Sequence, residues 1–410
     1  MPLLAVEEAL SRMLDAAAPR GTETVAIAQA GGRIVASAVE AHLMQPPFDC
    51  SAMDGYALIA PGRIAYPLHF TVIGESAAGK RHVGAVGPGE AVRIFTGAPL
   101  PEGADTIVIQ ENAERDGDRL TVLAGIDKGR HIRRAGLDFA PGRTVIEPGR
   151  ELDGPALSLA AASGHAVLDV FERPRVAILS TGDELVPPGV RPGPDQIVAS
   201  NSLGIAEIVR RCGGEAHDLG IVADNPAATE AAIKAALESG IDVLVTVGGA
   251  SVGDRDYVHA ALKACGVDMD FWKIAMRPGK PLMYGRKTVD GRTVHVIGLP
   301  GNPVSSLVCS YLFLHPLLAN LAGRRKHAID IRAAQLGVAM AANDHRRDYV
   351  RGTIESRADG ALVAIPLPVQ DSSMLSALTH ADALIIRAEN APAAATGDPC
   401  RIVMLSHKTA

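Results

Sequence analysis

Strand and helix candidates alternate through the middle of the sequence, from Arg175 to Gly323. Four short, β-branched stretches, at 175–180, 217–222, 242–247 and 294–298, are typical of buried strands. Apolar residues at helical spacing, and a polar cap followed by proline, predict helices between them. Because helices that connect successive strands are typical of parallel sheets, we predict a central doubly wound α/β domain over 174–325.

Strand-rich sequence lies on both sides of this domain, and 410 residues are too many for one ordinary core. Short β-rich runs between Gly, Pro and Asp turns predict a small β-rich domain at 46–133. Strands without long helices predict a C-terminal β-barrel at 326–410. The chain is therefore predicted to be a multidomain protein of the α/β plus β class.

A helical or mixed domain is predicted from two separate segments, 1–45 and 134–173. The first roughly thirty residues look helical. Asp153 and Pro155 open a short Ala-rich helix that Gly164 closes, with a polar cap, a proline in the first turn and a terminal glycine in agreement. The chain is expected to return here to its first helical layer.

The charge and the aromatic content argue against nucleic acid as a partner. The formal net charge is −6, and the chain has only 7 Phe, 6 Tyr and 1 Trp. A nucleic-acid groove needs basic residues and rings on which bases stack. A small-molecule partner fits this composition better.

Several features favour a cytoplasmic location. The first 20 residues have no basic segment followed by an apolar block, so we predict no signal peptide. Five scattered cysteines without a C-x-x-C pair predict reduced thiols instead of a zinc site or disulfides. Residues 304–322 lack Asp, Glu, Lys and Arg, but their Ser, His, Pro and Asn residues predict a buried helix instead of a membrane span.

Residues with binding chemistry cluster at the predicted strand ends, where a doubly wound sheet binds its ligand. Four stretches carry them: 180–184 (STGDE), 248–256 (GGASVGDRD), 277–281 (RPGKP) and 298–303 (GLPGNP). Gly-rich turns and helix N-termini bind anionic oxygen, and carboxylates hold magnesium against phosphate. A single Gly-Gly turn is usually structural, and a single lysine is usually a solvated charge. Together these stretches predict a pocket for a phosphorylated ligand and a divalent metal.

Two common nucleotide-binding motifs are absent from the sequence. It contains no G-x-x-x-x-G-K-[ST], which disfavours P-loop nucleotide hydrolysis. It also has no G-x-G-x-x-G after the first strand, so a nicotinamide enzyme is disfavoured.

Six runs of the sequence resemble motifs of the MoeA family, to which the gephyrin E domain also belongs. In chain order they are 48–57 (FDCSAMDGYA), 94–99 (IFTGAP), 180–185 (STGDEL), 248–257 (GGASVGDRDY), 277–281 (RPGKP) and 298–305 (GLPGNPVS). The resemblance implies a molybdenumtransferase that takes adenylylated molybdopterin and molybdate, releases AMP and leaves molybdenum on the dithiolene sulfurs. It also implies an L-shaped homodimer of four-domain protomers. The helical domain would then be the dimerisation domain, and the active site would be composite.

The resemblance further assigns roles to single residues. The pterin nucleotide would lie along Thr181, Gly182, Asp183, Gly248, Gly249, Ser251, Gly253, Pro300, Gly301, Asn302 and Pro303. The catalytic positions would be Asp54, Thr96, Asp138 and Glu184. Mg²⁺ would be held near Glu184 or Asp256. Molybdate would be bound by Arg277, Lys280, Ser305, Arg351 and Ser373, because a dianion needs cations and short-range donors to replace its water.

Some positions leave the assignment open. Arg277 stands where many members of the family have lysine, which keeps the charge but replaces a point donor by a planar fork. The pattern around 370–374 does not separate Ser372 from Ser373. Without the resemblance, Asp54 would be interpreted as a turn residue before Gly55.

Two alternative functions remain from the sequence. One is a gephyrin-like scaffold without turnover, although no added receptor-binding segment is recognisable. The other is molybdopterin adenylyltransferase, which needs only the central domain. Transient contacts with that adenylyltransferase and with molybdoenzyme chaperones are expected partners, and neither nucleic acid nor a membrane is expected.

Overall fold

The chain forms two compact units, each made of separate segments. The computed structural model describes residues 3–249, 257–324 and 329–405. The first unit comprises Met1–Glu23, Gly32–Ala36 and Val170–Ala410, and the second comprises Thr24–Gly31 and Ser37–Asp169. The finer division into four domains stays a prediction.

The first 146 residues are mostly short strands. Their elements are α1 (Val6–Asp15), β1 (Thr22–Ala26), β2 (Val39–Glu40), β3 (Cys50–Ser51), β4 (Gly55–Leu58), β5 (Leu68–Ser76), β6 (Glu90–Ile94), β7 (Thr106–Ile109), β8 (Ala113–Asp116), β9 (Arg119–Val122), β10 (Ile132–Arg133) and β11 (Thr144–Ile146). Six of these strands form one sheet in the order β7-β4-β6-β5-β9-β8. Its apolar side chains, among them Leu58, Phe70 and Leu120, are buried, which confirms the predicted β-rich character of this segment.

The prediction that the first roughly thirty residues are helical is wrong beyond Asp15. A helix occupies only Val6–Asp15, and a strand follows at Thr22–Ala26. Pro19 and Gly21 end the helical pattern, and the β-branched residues of the strand then favour extended backbone. The apolar side of α1 packs into the core of the first unit through Val6, Ala9 and Met13. A helical dimerisation layer is therefore not evident in this part of the chain.

The middle of the chain alternates strands and helices as expected. Its elements are α2 (Gly154–Ala162), β12 (Val167–Phe171), β13 (Arg175–Thr181), β14 (Leu185–Val186), β15 (Ile197–Val198), α3 (Asn201–Arg211), β16 (Glu215–Val222), α4 (Pro226–Glu238), β17 (Val243–Val247), α5 (Tyr257–Ala264), β18 (Asp268–Phe271), β19 (Met276–Arg277), β20 (Met283–Val289), β21 (Arg292–Leu299), α6 (Pro303–Cys309) and α7 (His315–Leu321). The caps of α2 and α4 are as predicted, since Asp153 accepts a hydrogen bond from the Ala156 N–H and Asn225 from the Ala228 N–H.

The central sheet has the strand order β16-β13-β17-β21-β20-β18. The first four strands are parallel, and β20 and β18 continue the sheet in antiparallel pairing. Helices α1, α3, α6 and α7 cover one face, and α4 and α5 cover the other. The predicted doubly wound domain with a mainly parallel sheet is confirmed.

The apolar segment Pro303–Leu321 is one continuous helix in which a π-helical turn, Ser310–Leu314, joins α6 to α7. Its length and composition alone would let it cross a membrane, but 78% of its apolar window is buried inside the protein. Val304, Phe313 and Leu317 are fully buried. The prediction of a buried core helix is confirmed.

The C-terminal segment forms a closed β-barrel. Its elements are β22 (Ile331–Leu336), β23 (Arg347–Ser356), β24 (Leu362–Pro366), α8 (Leu375–His380), β25 (Ala383–Arg387) and β26 (Pro399–Met404). The order β23-β24-β22-β26-β25 closes on itself because β25 also pairs with β23, and β19 adds to β23 as a parallel strand. The predicted barrel is confirmed.

A buried tyrosine and histidine lie between β20 and β21. The Tyr284 hydroxyl and His295 Nδ1 share a hydrogen bond of 2.9 Å, and neither side chain is more than 1% exposed. Burial lowers the pKa of His295 from 6.5 to about 4. Between these two pH values the unfolded chain binds a proton that the folded chain does not bind. Stability should therefore be unaffected by this group above pH 6.5 and fall as the pH drops toward 4.

We predict that His295→Asn flattens the acid side of the stability curve, by up to about 3 kcal/mol at pH 4 relative to pH 7. The pH dependence of stability is measured in the first unit as the midpoint of urea unfolding, followed by the fluorescence of the single tryptophan, Trp272. Tyr284→Phe is the matched control, because it removes the hydrogen bond but leaves the titrating group. Equal pH dependence in the wild type and His295→Asn would contradict the assignment.

Candidate functional site

A cleft of about 780 Å³ opens where β13, β17 and β21 end. These strands are neighbours and parallel, so their carboxyl ends meet at one edge of the sheet. The cleft is lined by most of the residues predicted for the nucleotide: Thr181, Gly182, Gly248, Gly249, Pro300, Gly301, Asn302 and Pro303. The predicted residues Ser251, Gly253 and Asp256 lie outside the described residues.

The glycines after β17 are required by their contact with the end of β13. Gly248 and Gly249 have positive φ angles, 90° and 59°. A Cβ at Gly248 would lie 2.6 Å from the Thr181 carbonyl oxygen, and one at Gly249 would lie 2.4 Å from the side chain of Val258. Only glycine lets the backbone at Gly248 approach Thr181 this closely, and Gly249 leaves room for the Val258 side chain of α5. The buried Thr181 hydroxyl has no hydrogen-bond partner among the described residues.

The turn after β21 is tied both to α3 and to the barrel segment. Asn201 donates a hydrogen bond of 2.7 Å to the Gly301 carbonyl. Asn302 donates from its side chain to the Ser372 hydroxyl at 2.9 Å, and the Val304 N–H donates to the Ser372 carbonyl at 3.1 Å. Ser372 thus holds the barrel loop on the start of α6.

Ser373, by contrast, lines the cleft. Its N–H and its hydroxyl both donate to the Asp371 carboxylate, at 2.8 and 2.6 Å. The two adjacent serines, which the sequence alone does not separate, therefore differ in their surroundings.

Acidic side chains lie at the ends of β13 and β16. Glu184 lines the cleft, and its carboxylate lies over Gly182, where an added Cβ would be 2.5 Å from Oε2. Asp183 accepts a hydrogen bond from the Asp224 N–H at 3.0 Å, which ties the two loops together. Asp224 itself lines the cleft. Within the described ranges, no group of three His, Cys, Asp or Glu side chains is arranged to hold a metal ion.

Three of the residues predicted for molybdate differ in burial. Arg351, on β23, is only 1% exposed, and burial lowers its pKa. One nitrogen, Nη2, donates to the Asp371 carbonyl at 3.3 Å, whereas Nε has no partner in the described part of the chain. Ser305 is buried in α6, and Lys280 is exposed without an ion pair to any described residue. Arg351 is thus a buried cation that carries no ion pair to the described chain.

Arg277 differs from Arg351 because its guanidinium is already bound by acidic side chains. Nε and Nη2 donate to Asp348 at 3.1 and 2.7 Å, and Nη1 donates to Asp344 at 3.3 Å. The hydrogen bond to Asp348 raises the pKa of Arg277. Its predicted contact with molybdate stays a prediction.

The catalytic candidates Asp54, Thr96 and Asp138 belong to the second unit. Asp54 accepts hydrogen bonds from the Thr96 N–H at 2.7 Å and from the Thr96 hydroxyl at 2.8 Å. These two bonds, the backbone one foremost, hold the pKa of the Asp54 carboxyl below its usual range. Asp138 forms a backbone hydrogen bond to Gln45, and its carbonyl accepts one from Arg143. The pairing of Asp54 with Thr96 connects two of the sequence motifs.

Three family models match the chain from end to end. Residues 4–164 match the MoeA N-terminal region (domains I and II), 177–320 match a probable molybdopterin binding domain, and 333–405 match the MoeA C-terminal region (domain IV). The chain belongs to the MoeA family.

Curated relatives and solved structures agree with this assignment. Proteins named molybdopterin molybdenumtransferase are 33% identical in Haemophilus influenzae, over 99% of both chains, and 37% identical in Nostoc sp., over 74% of this chain and 70% of that one. Two crystal structures of a molybdopterin biosynthesis MoeA protein from Pyrococcus horikoshii superpose with TM-scores of 0.81 and 0.84. They are 29% and 26% identical and cover 98% of this chain and 99% and 100% of theirs.

Some residues that line the cleft lie outside the MoeA motifs. Asp224 lies in no such motif, but it comes two residues after the end of β16, where the strand-end rule would have found it. Leu185, Ile197 and Val198 form an apolar wall of the cleft. The short strands β14 and β15, which pair with each other, carry this wall. Leu185 ends the motif at 180–185, whereas Ile197 and Val198 lie in no motif.

We predict that Gly248→Ala destabilises the first unit by about 3 kcal/mol or more, because strain at positive φ adds to the overlap with Thr181. Gly291→Ala is the matched control, since Gly291 has a φ of 76° and open space around the new methyl group. The control should cost only about 1 kcal/mol. Urea unfolding, followed by Trp272 fluorescence, gives the free energy of unfolding of both variants. An equal loss of stability in the two would mean that the approach of Gly248 to Thr181 is not tight.

Proposed function

We propose that this chain is a molybdopterin molybdenumtransferase that uses adenylylated molybdopterin and molybdate and releases AMP. The relative of this name from Haemophilus influenzae matches 99% of this chain. The observation that carries the proposal is the convergence of a glycine turn, acids and a barrel residue, Ser373, in one cleft. No observation favours the alternative of an adenylyltransferase, and all three MoeA segments are present.

The nucleotide part of the substrate would lie along the turns that follow β13, β17 and β21. Consecutive backbone N–H groups in glycine turns favour phosphate oxygens. The positive φ angles of Gly248 and Gly249 support this role. The apolar wall of Leu185, Ile197 and Val198 would then cover the flat face of a ring.

A magnesium ion fits the acidic side of the cleft. Carboxylate oxygens are the ligands that Mg²⁺ prefers, and Glu184 and Asp224 both line the cleft. Glu184 would hold the ion, with Asp224 and Asp256 as the further carboxylates. When bound, the ion would neutralise phosphate charge as AMP leaves.

Molybdate would be bound by Lys280, Ser305, Arg351 and Ser373. A buried guanidinium without a carboxylate partner is costly, and a dianion would provide the missing partner for Arg351. The Ser305 hydroxyl would donate a hydrogen bond to a remaining oxygen, and the Ser373 hydroxyl would do so after turning away from Asp371. The predicted set also includes Arg277, whose guanidinium is bound by Asp344 and Asp348.

The active site is proposed to be completed by a second copy of the chain. Asp54, Thr96 and Asp138 belong to a different unit from Glu184 and Lys280. In a two-fold dimer, the second unit of one protomer would face the cleft of its partner, and the segments 1–45 and 134–173 would form the dimerisation domain. We place this dimer in the cytoplasm, with transient contacts to the adenylyltransferase and to molybdoenzyme chaperones.

The proposed reaction is tested by incubating the protein with adenylylated molybdopterin, Mg²⁺ and molybdate. We expect AMP to appear as molybdate is consumed, without ATP. Glu184→Gln should reduce AMP release at least about tenfold, because it removes one charge-assisted contact but little core packing. AMP release that requires ATP, or full activity of Glu184→Gln with normal Mg²⁺ dependence, would contradict the proposal.

Lys280→Ala and Ser373→Ala should each raise the KM for molybdate about tenfold or more, because each removes a donor from the oxyanion. The KM for the pterin substrate should change far less. Lys234→Ala, which removes an exposed lysine from α4, is the matched control and should change neither constant. Equal losses for both substrates would show that these residues are not part of an oxyanion site.

The composite site predicts complementation between inactive variants. Asp54→Ala and Glu184→Ala should each be nearly inactive as homodimers. After subunit exchange, one cleft of the heterodimer would carry neither substitution, so activity should approach about half of wild type per heterodimer. If mass spectrometry confirms exchange and no activity returns, both residues act within one protomer.

A further inference from the structure

Arg93 lies beside two aromatic rings at one end of the six-stranded sheet of the second unit. It faces Tyr56 across the antiparallel pairing of β6 with β4, and Phe95 comes two residues later in the chain. The three side chains therefore lie on the same face of the sheet. The guanidinium carbon of Arg93 is 5.1 Å from the centroid of the Tyr56 ring and 4.9 Å from that of the Phe95 ring, so the cation is attracted to both rings.

The same guanidinium donates two hydrogen bonds at this end of the sheet. Nη1 donates to the Gly55 carbonyl at 3.3 Å, and Nη2 donates to the Gln110 side-chain oxygen at 2.7 Å. The backbone N–H of Gln110 in turn donates to the Asp54 carbonyl at 3.1 Å. Arg93 thus joins β6 to the start of β4 and to the residue that follows β7.

Asp54 and Thr96 adjoin these contacts in the chain. Gly55 directly follows Asp54, and Phe95 directly precedes Thr96. Both bonds from Thr96 go to one carboxylate oxygen of Asp54, Oδ1. The other oxygen, Oδ2, accepts no hydrogen bond from the residues that the structure describes. One oxygen of the carboxylate is therefore fixed, and the other is available to a substrate.

Backbone pairing ends before it reaches these two residues. The ladder between β4 and β6 runs only to the pair of Gly55 and Ile94. Asp54 lies one residue beyond that pair on one strand, and Thr96 lies two residues beyond it on the other. Side-chain contacts therefore contribute to the separation of the two residues, and Arg93 contacts the chain neighbour of each.

We propose that Arg93 is a positioning residue that holds Asp54 and Thr96 together in the geometry in which Asp54 acts. The proposal rests on the proposed function, in which Asp54 is catalytic. Position matters because a displacement of about 1 Å at a reacting group can slow a reaction about a hundredfold. Arginine suits this role, because its planar fork donates to two acceptors while it packs against rings. The single ammonium group of a lysine does not span both acceptors.

The test compares kcat and KM for AMP release in the wild type, Arg93→Met and Arg93→Lys. Arg93→Met keeps the apolar stem but removes both hydrogen bonds, so kcat should fall about tenfold. The KM values for molybdate and for the pterin substrate should stay within about twofold of wild type, because no binding contact is lost. Arg93→Lys should lose at least about fivefold in kcat, since it keeps the charge but cannot donate to Gly55 and Gln110 at once.

A second measurement follows the bond between Asp54 and Thr96 without any substrate. Hydrogen exchange of the Thr96 N–H, resolved to single residues by mass spectrometry, should be at least about tenfold faster in Arg93→Met than in the wild type. Far-ultraviolet circular dichroism verifies that each variant is folded.

Arg115→Met is the matched control. Arg115 is exposed on β8, an edge strand of the same sheet, and it also binds a backbone carbonyl, that of Gly117. Its loss should change neither kcat nor the exchange of the Thr96 N–H.

Wild-type kcat or unchanged Thr96 exchange in Arg93→Met would overturn the proposal. Wild-type kcat in Arg93→Lys would also overturn it, because the positive charge alone would then be sufficient. A wild type that releases no AMP would defeat the proposed function, whereas faster Thr96 exchange in Arg93→Met would still support the positioning role.

Discussion

The close approach of the turn after β17 to Thr181 is the contact on which the cleft depends. It exists because β13 and β17 are neighbours in parallel register and because Gly248 carries no side chain where the two backbones meet. Gly248 and Gly249 line the floor of the cleft there, and the Gly248 N–H is bonded to the Leu299 carbonyl at 3.2 Å. A larger side chain at either position would meet its neighbours. The buried helices on both faces hold the strands in place, so the floor is as rigid as the core.

In the proposed function, the barrel segment contributes Arg351 and Ser373 to the oxyanion site. Gln370 binds the Arg351 backbone twice, accepting from its N–H at 3.0 Å and donating to its carbonyl at 2.9 Å. Ser372 attaches the same loop to Asn302 and Val304 at the start of α6. Arg351 and the loop that carries Ser373 are thus fixed to each other and to the start of α6.

Much of this architecture was predictable because it follows from local pattern. The spacing of β-branched runs and caps predicts the strands β13, β16, β17 and β21 and helix α4, and the strand-end rule then predicts the cleft. The predicted N-terminal helix was too long, because residue propensities alone do not reveal the strand at Thr22–Ala26. That strand forms by pairing with β12, which lies far along the chain.

The rest depended on contacts between residues far apart in the chain. The ion pairs of Arg277 join residues about seventy positions apart, and no local pattern predicts such a pairing. Nor does a local pattern predict that Ser372 binds Asn302 at the start of α6 whereas its neighbour Ser373 lines the cleft.

In the proposed function, one cleft binds both the nucleotide and the oxyanion. The decisive measurement is a crystal structure grown with AMP, Mg²⁺ and molybdate, in which anomalous scattering locates the molybdenum. We expect a molybdenum peak beside Lys280, Ser305, Arg351 and Ser373, with the AMP phosphate against Gly248 and Gly249. Molybdenum away from these residues, or AMP outside the cleft, would contradict it.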